Sequence, residues 1–257
     1  MVHRFGSLLF LTAALGVPAF LGATPAAYGA DSPTIEEILQ ATDDFSRGES
    51  SRGIMEMKVV TKRYERSVTM ELWSKGTEHS LVRIMEPAKE KGVSTLKIED
   101  NIWNYLPKVD RTIKVPASMM SGSWMGSHFS NDDLVQGSRL SEDFTATLAE
   151  EPAEDGSGTW TVDLVPHPDA PVVWGKVVVR VTAEMLPVAT TYYDEDEALI
   201  RTMRFSDVQT LGGRTLPTRI TVIPADAPEE YTEIRYRELT FDLEIPDTTF
   251  SLQALRK

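Results

Sequence analysis

Cysteine is absent from this sequence of 257 residues. Its absence excludes disulfide bonds, thiolate metal sites and a cysteine nucleophile. It also excludes a lipid-modified cysteine at the start of a processed chain. We therefore expect a soluble product without a lipid anchor.

Basic residues are few relative to acidic ones. The chain has 26 Lys and Arg against 39 Asp and Glu, which gives a formal net charge of −13 at pH 7. Such a chain is repelled by phosphate backbones and by anionic lipid headgroups. We therefore expect neither nucleic-acid binding nor passive adhesion to a membrane.

A long apolar run is also missing, because the longest one, Phe5–Leu21, is too short and too interrupted to predict a membrane span. Arg4 precedes this run and small residues around Ala27–Gly29 follow it, which is typical of a secretory signal peptide. We predict that residues 1–30 are removed, leaving one domain of residues 31–257 in the periplasm. That domain has 25 basic and 39 acidic residues, a net charge of −14. An uncleaved anchor is the alternative.

Motifs for catalysis and metal binding are missing as well. His79, His128 and His167 have no metal-ligand spacing relative to one another. Ser94 and Lys97 match the letters S-x-x-K, but in a strand their side chains point to opposite faces, so no proton can pass between them. We predict no enzyme activity, no cofactor and no metal site.

Alternation of apolar and polar residues dominates the chain after one helix. Thr34 and Glu37 form a capping box before a helical pattern that ends near Phe45. From Gly53 onward, short alternating segments separated by turns predict a strongly curved antiparallel sheet of about eleven strands. The predicted fold class is therefore mainly β, with a few helices.

One stretch, residues 116–135, interrupts the strands and mixes methionine and aromatic residues with glycine and serine. Exposed apolar side chains gain free energy only when they are covered. We interpret residues 117–129 as an apolar flap that lies across a cavity of the sheet. Ser130 and Asp133 then predict the capped start of a short helix. An ordinary crossover that covers the core is the alternative.

The apolar residues before the flap are rich in methionine, which adapts to varied apolar partners. We predict that residues of one face of neighbouring strands and of the flap form an apolar cavity that admits lipid chains. The predicted ligand-binding residues are Met55, Met57, Val68, Met70, Leu72, Leu96, Ile98, Met119, Met120, Trp124, Met125 and Phe129. The alternative is that this face is only the core side of a sheet.

Three blocks carry a resemblance to a known family. They are Arg83–Pro87 with Lys91, Gly92 and Leu96; Trp103–Pro107 with Arg111 and Ile113; and Gly122–Leu134. Their order and spacing resemble the outer-membrane lipoprotein-sorting family, relatives of the periplasmic lipoprotein carrier LolA. Leu216-Pro217 and the closing Ile245–Phe250 are similar too, so the resemblance covers nearly all of the chain after the signal peptide.

The resemblance implies an unclosed half-barrel of about eleven strands, capped by helices, with acyl chains held between sheet and helices. It implies non-catalytic carriage of lipid or lipoprotein toward the outer membrane, with an inner-membrane transporter as partner. An arginine inside such a barrel latches the lid, and Arg83 is the candidate by position. We expect a monomer. The alternatives are a ligand-sensing envelope regulator on the same scaffold, or a structural envelope protein with a filled core.

Overall fold

The computed structural model describes residues 32–136, 140–153, 156–168, 170 and 172–256. The predicted signal peptide, residues 1–30, lies outside the described residues. Within them, no helix combines the length and the apolar character needed to cross a membrane.

Helix α1 spans Ile35–Asp44 and begins with the predicted capping box. The Oγ1 of Thr34 accepts a hydrogen bond from the backbone N–H of Glu37 at 3.2 Å, and the Glu37 carboxylate accepts one from the backbone N–H of Thr34 at 2.7 Å. These bonds satisfy donors that the first turn of a helix leaves unpaired. Two short helices follow much later, α2 at Asp133–Gln136 and α3 at Leu140–Asp143.

Thirteen strands form a single antiparallel sheet in the described chain, two more than the predicted eleven or so. Their bounds are β1 Ser50–Val60, β2 Glu65–Lys75, β3 His79–Glu86, β4 Ser94–Ile98, β5 Asn101–Leu106, β6 Arg111–Lys114, β7 Phe144–Glu150, β8 Trp160–Pro166, β9 Lys176–Val181, β10 Pro187–Tyr193, β11 Leu199–Leu211, β12 Arg214–Pro224 and β13 Tyr231–Phe241.

The order of the strands determines where the flap lies relative to the sheet. β1 pairs with β13 inside the sheet, β2 to β6 follow outward in chain order, and β12 to β7 run outward on the other side. The sheet is an unclosed half-barrel with β6 and β7 at its edges. Because consecutive strands β6 and β7 lie at opposite edges, the chain between them must cross the sheet. That crossing contains residues 117–129, the flap.

Cross-strand partners define the face that the flap covers. Met55 lies opposite Met70 of β2 and Tyr236 of β13, and Met70 lies opposite Ile84 of β3. Directly opposed residues point to the same side of a sheet, and we call this side the inner face. The core beneath the flap consists of Met55, Met57, Val59, Val68, Met70, Val82, Ile84, Trp124, Phe129, Ile220, Val222 and Ile234.

A second inner-face core lies under α1. Ile38 and Leu39 of the helix are buried against valines of β8 and β9, among them Val162 and Val179. The helix thereby covers one end of the inner face, and Phe45 at its C-terminal end packs against the core beneath the flap.

The outer face of β2 to β5 is covered by the C-terminal tail. Ile245, Phe250 and Leu255 pack there against residues that include Leu81 and Leu96. The prediction that Leu96 and Ile98 share a face with the methionines is therefore wrong. In β4 it is Thr95 and Lys97 that point inward, since Thr95 pairs with Val82 and Lys97 with Ser80. A one-residue error of register moves every side chain to the other face.

Candidate functional site

Trp124 anchors the flap to the inner face. Its indole ring is 2% exposed, and its Nε1 donates a hydrogen bond to the Oγ1 of Thr95 at 3.1 Å. Thr95 in turn donates to the side-chain oxygen of Asn104 at 2.7 Å. The indole N–H therefore has a partner although it is buried, and the ring lies against the apolar wall of the sheet.

Central strands of the sheet and the turn between β1 and β2 hold the flap in place. The hydroxyl of Tyr64 donates to the Gly126 carbonyl at 2.7 Å, and the Arg66 guanidinium donates to the Met125 carbonyl at 2.6 Å. The backbone N–H of His128 donates to the Oγ1 of Thr232 at 2.9 Å. The first two contacts come from the hairpin of β1 and β2, and the third comes from β13. The flap thus lies over the central strands of the sheet.

A buried ion pair fixes the segment after the flap. Asp133 starts α2, where its carboxylate accepts from the Ser130 backbone N–H at 2.7 Å and its own N–H donates to the Ser130 hydroxyl at 3.1 Å, as predicted. The same carboxylate receives two hydrogen bonds from Arg201 of β11, the longer at 2.8 Å. The two side chains are 8% and 10% exposed.

Aromatic rings surround this arginine. Its guanidinium carbon lies 4.3 Å from the ring centroid of Tyr192 and 4.7 Å from that of Trp174. Burial works against the charge of Arg201, but the hydrogen bonds and charge of Asp133 outweigh it and raise the pKa of the guanidinium. Arg201 therefore stays charged and latches α2 to the sheet.

A cavity of about 240 Å³ lies between the flap and the inner face. Trp124 and Phe129 of the flap and Leu134 of α2 form one side of its wall. The opposing apolar wall comes from both halves of the sheet and the end of α1, with Phe45, Met55, Leu72, Met203, Phe205 and Ile220. The volume lies just below the roughly 300–1,000 Å³ of typical small-molecule sites.

The end of the cavity away from the flap is polar. Lys97, Ser74, Ser80 and Thr77 line it, together with Arg47 from the connection between α1 and β1. Lys97 is 3% exposed, and its ammonium donates to the Thr77 carbonyl at 2.5 Å. Burial lowers the pKa of Lys97 to about 8, and the charge of Arg47 acts in the same direction.

The predicted site residues fall into groups. Met55, Leu72, Trp124 and Phe129 line the cavity. Met57, Val68 and Met70 are buried in the core next to it. Met125 is partly buried against that core, whereas Met120 is half-buried and Met119 is 59% exposed on the outer side of the flap. Leu96 and Ile98 lie on the outer face.

Arg83 does not hold the flap in this structure. It lies on the outer face of β3, where its guanidinium donates to the Ala254 carbonyl at 2.6 Å and lies 5.5 Å from the ring of Trp73. Arg83 thus fastens the C-terminal tail. The arginines that contact the flap are Arg66, at the Met125 carbonyl, and Arg201, at the His128 carbonyl.

Sequence reasoning missed Arg201, Lys97 and the apolar wall of the C-terminal half. Apolar residues two positions apart, Met203 and Phe205 in β11 and Ile220 and Val222 in β12, were the sequence signal for that wall. The sequence around β11 does not predict that Arg201 faces Asp133, because only the folded sheet brings these two distant residues together. No group of three or more metal-ligating side chains occurs in the described ranges.

A family model described as an uncharacterized protein matches residues 76–257. The chain belongs to this family. No curated protein matches the sequence.

Solved structures show the fold as LolA-like. A LolA superfamily protein from Nitrosomonas europaea is 22% identical, with a TM-score of 0.70, covering 87% of this chain and 100% of that one. An outer-membrane lipoprotein-sorting protein domain from Vibrio parahaemolyticus is 21% identical, with a TM-score of 0.71, covering 86% and 97%. A DUF1329 family protein from Desulfovibrio piger is 20% identical, with a TM-score of 0.74, covering 85% and 96%.

The LolA-like fold accounts for the position of the cavity. An open sheet has an inner face that must be filled by side chains, covered by helices or left to a ligand. Here α1 covers one end, the flap covers the middle, and the space between them remains as the cavity.

Proposed function

We propose that this protein is a periplasmic carrier that binds the acyl chains of a lipid or lipoprotein in the cavity beneath the flap and moves them toward the outer membrane. Residues 1–30 act as the signal peptide, and residues 31–257 form one LolA-like domain that works as a monomer without catalysis. The observation that carries the proposal is the apolar cavity between Trp124, Phe129 and the sheet. A structural protein with a filled core would have no use for such a space.

The physical basis of binding is the burial of methylene groups. Each CH₂ moved from water into an apolar site contributes about 0.8 kcal/mol before the costs of binding. Methionine side chains such as Met55 and Met203 adapt their rotamers to a chain at small cost. The acidic surface keeps the empty carrier away from anionic headgroups.

Loading and release require the flap to move, because the cavity is small. The contacts that must open are the ones around Trp124 and the pair of Asp133 with Arg201. A transporter of the inner membrane that contacts the flap can supply this opening, and an acceptor with a more apolar site can remove the cargo.

The test is binding of the neutral fluorophore N-phenylnaphthylamine to the purified domain. Replacing Met203 by Trp fills the cavity from its wall, so we expect at least tenfold weaker binding and an unchanged circular dichroism spectrum. Trp124→Ala combined with Phe129→Ala should weaken binding as well, by removing the flap's part of the wall. The matched control is Met119→Trp, the same exchange at an exposed flap position, which should bind like the wild type.

Equal binding by the wild type and Met203→Trp would refute the proposed site. Native mass spectrometry of the protein isolated from its own periplasm, followed by lipid extraction, identifies the cargo. A wild type that carries no lipid and binds no fluorophore would refute the carrier function.

A further inference from the structure

Lys97 is a buried cation that faces the cavity. Its ammonium can donate three hydrogen bonds, and in the described part of the chain it makes one, to the Thr77 carbonyl at 2.5 Å. No described carboxylate lies within ion-pair distance of it. A charge that is 97% removed from solvent and lacks a counter-ion is costly. An anionic ligand that supplies the missing charge would remove this cost.

The position of Lys97 relative to the flap fits the head of an extended ligand. Lys97 and Thr95 share the inner face of β4, two residues or about 7 Å apart along the strand. Thr95 holds the indole of Trp124, at the apolar part of the cavity. The cavity therefore changes along its length, from aromatic and aliphatic walls under the flap to a cationic end at Lys97.

Two cations and two carboxylates act at this end, and neither carboxylate forms an ion pair with Lys97. Arg47 lines the same end of the cavity, and its positive charge disfavours the protonated form of Lys97. Glu78, in the turn between β2 and β3, and Asp100, between β4 and β5, act on Lys97 only through their charge at a distance. His79 also lines the cavity, while Asp133 lies at the flap end in its pair with Arg201.

We propose that the cavity takes an acyl chain that ends in an anionic oxygen headgroup, a carboxylate or a phosphate ester, and that Lys97 binds that headgroup while the chain extends toward Trp124. This inference rests on the proposed carrier function and specifies its ligand class. An ammonium and an anionic oxygen form a strong charge-assisted hydrogen bond. The Ser80 hydroxyl offers a further donor at the same end.

The cavity volume of about 240 Å³ favours a single acyl chain. The position of Lys97 also gives selectivity. A neutral alcohol of equal chain length leaves the ammonium without a counter-ion, and an anion supplies one. The protein as a whole repels anions, so the cationic end of the cavity is the place where an anionic amphiphile gains by entering.

The test is displacement of N-phenylnaphthylamine by two matched ligand pairs at pH 7. Palmitate is compared with hexadecanol, and 1-palmitoyl-lysophosphatidate with monopalmitoylglycerol. We expect one anion of these pairs to compete at least tenfold better than its neutral partner. The pair that shows the preference distinguishes a carboxylate from a phosphate ester. In Lys97→Met the preference should vanish while the neutral ligands compete as before.

The control is Lys89→Met, which removes a lysine whose side chain is 74% exposed and should keep the preference. Circular dichroism checks the fold of both variants. If the fluorophore binds but anions and neutral ligands compete equally, or if Lys97→Met keeps the preference, the headgroup inference is refuted and the carrier proposal stands. If neither the fluorophore nor any of the four ligands binds, both are refuted.

Discussion

Each end of the cavity buries a cation, and the two cations differ in the partners that surround them. At the flap end, Arg201 faces Asp133, the carbonyl of His128 at 3.3 Å and two aromatic rings. At the opposite end, Lys97 has one carbonyl as hydrogen-bond partner among the described residues. Both side chains come from strands of the inner face and both are nearly inaccessible to water.

This difference in partners distinguishes the structural ion pair of Arg201 from the proposed binding site at Lys97. An ion pair in which each charge has the other as counter-ion holds two elements together and leaves no charge for a ligand. A cation without a counter-ion costs stability in the empty protein, and that cost is recovered when an anion arrives. Lys97 therefore lowers the stability of the empty protein in favour of ligand binding, whereas Arg201 contributes to stability.

The largest effect is expected from breaking the paired end. Arg201→Met leaves the carboxylate of Asp133 buried without its cation, so the free energy of unfolding should fall by about 3–5 kcal/mol. Urea unfolding followed by circular dichroism measures it. Arg237→Met is the control, because that arginine and its partner Glu56 are about half exposed, and its loss should stay below ~1 kcal/mol. Similar losses in the two variants would show that the Asp133 pair holds nothing.

The unpaired end should respond in the opposite direction. Lys97→Met removes a charge whose pKa falls from 10.5 to about 8 on folding, so at pH 7 the free energy of unfolding should rise by about 1–3 kcal/mol. Between pH 8 and 10.5 the unfolded wild type binds more protons than the folded one, so wild-type stability rises with pH there. The gap between the variants should therefore close above pH 8. A less stable variant at pH 7 would mean that Lys97 is a structural group.

A third cation, Arg83, sharpens the comparison because it lies on the outer face. Arg83→Met loses the hydrogen bond to the Ala254 carbonyl, which should cost about 1 kcal/mol. Binding of N-phenylnaphthylamine should remain unchanged, since the cavity is on the other side of the sheet. A change in affinity of more than threefold would return Arg83 to the role of a lid latch.

The parts of this fold that were predictable are those with local causes. The capping box of Thr34 and Glu37 and the reciprocal hydrogen bonds of Ser130 and Asp133 at the start of α2 depend on residues three apart, and both are as predicted. The alternation that predicts strands has the same local character. The interruption at residues 117–129 stood out for its composition, and it does cross the inner face.

The parts that were missed depend on partners distant in sequence. The register of β4 is set by pairing with β3 and by the tail residues that cover Leu96 and Ile98. The pair of Arg201 and Asp133 joins residues 68 positions apart. The letters S-x-x-K relate Lys97 only to Ser94, whereas what Lys97 faces depends on the register of β4 against β3.

The pairing of β1 with β13 has a consequence for how the protein folds during its synthesis. Each arm of the sheet can grow as a series of hairpins between strands that are neighbours in sequence. The seam between the arms, however, joins the first strand to the last, as in the contact of Ser51 with Phe241. Contacts of such high sequence separation are slow to form. Until the last strand has been synthesised, a growing chain has no partner for β1 on that side, and the two arms cannot be joined.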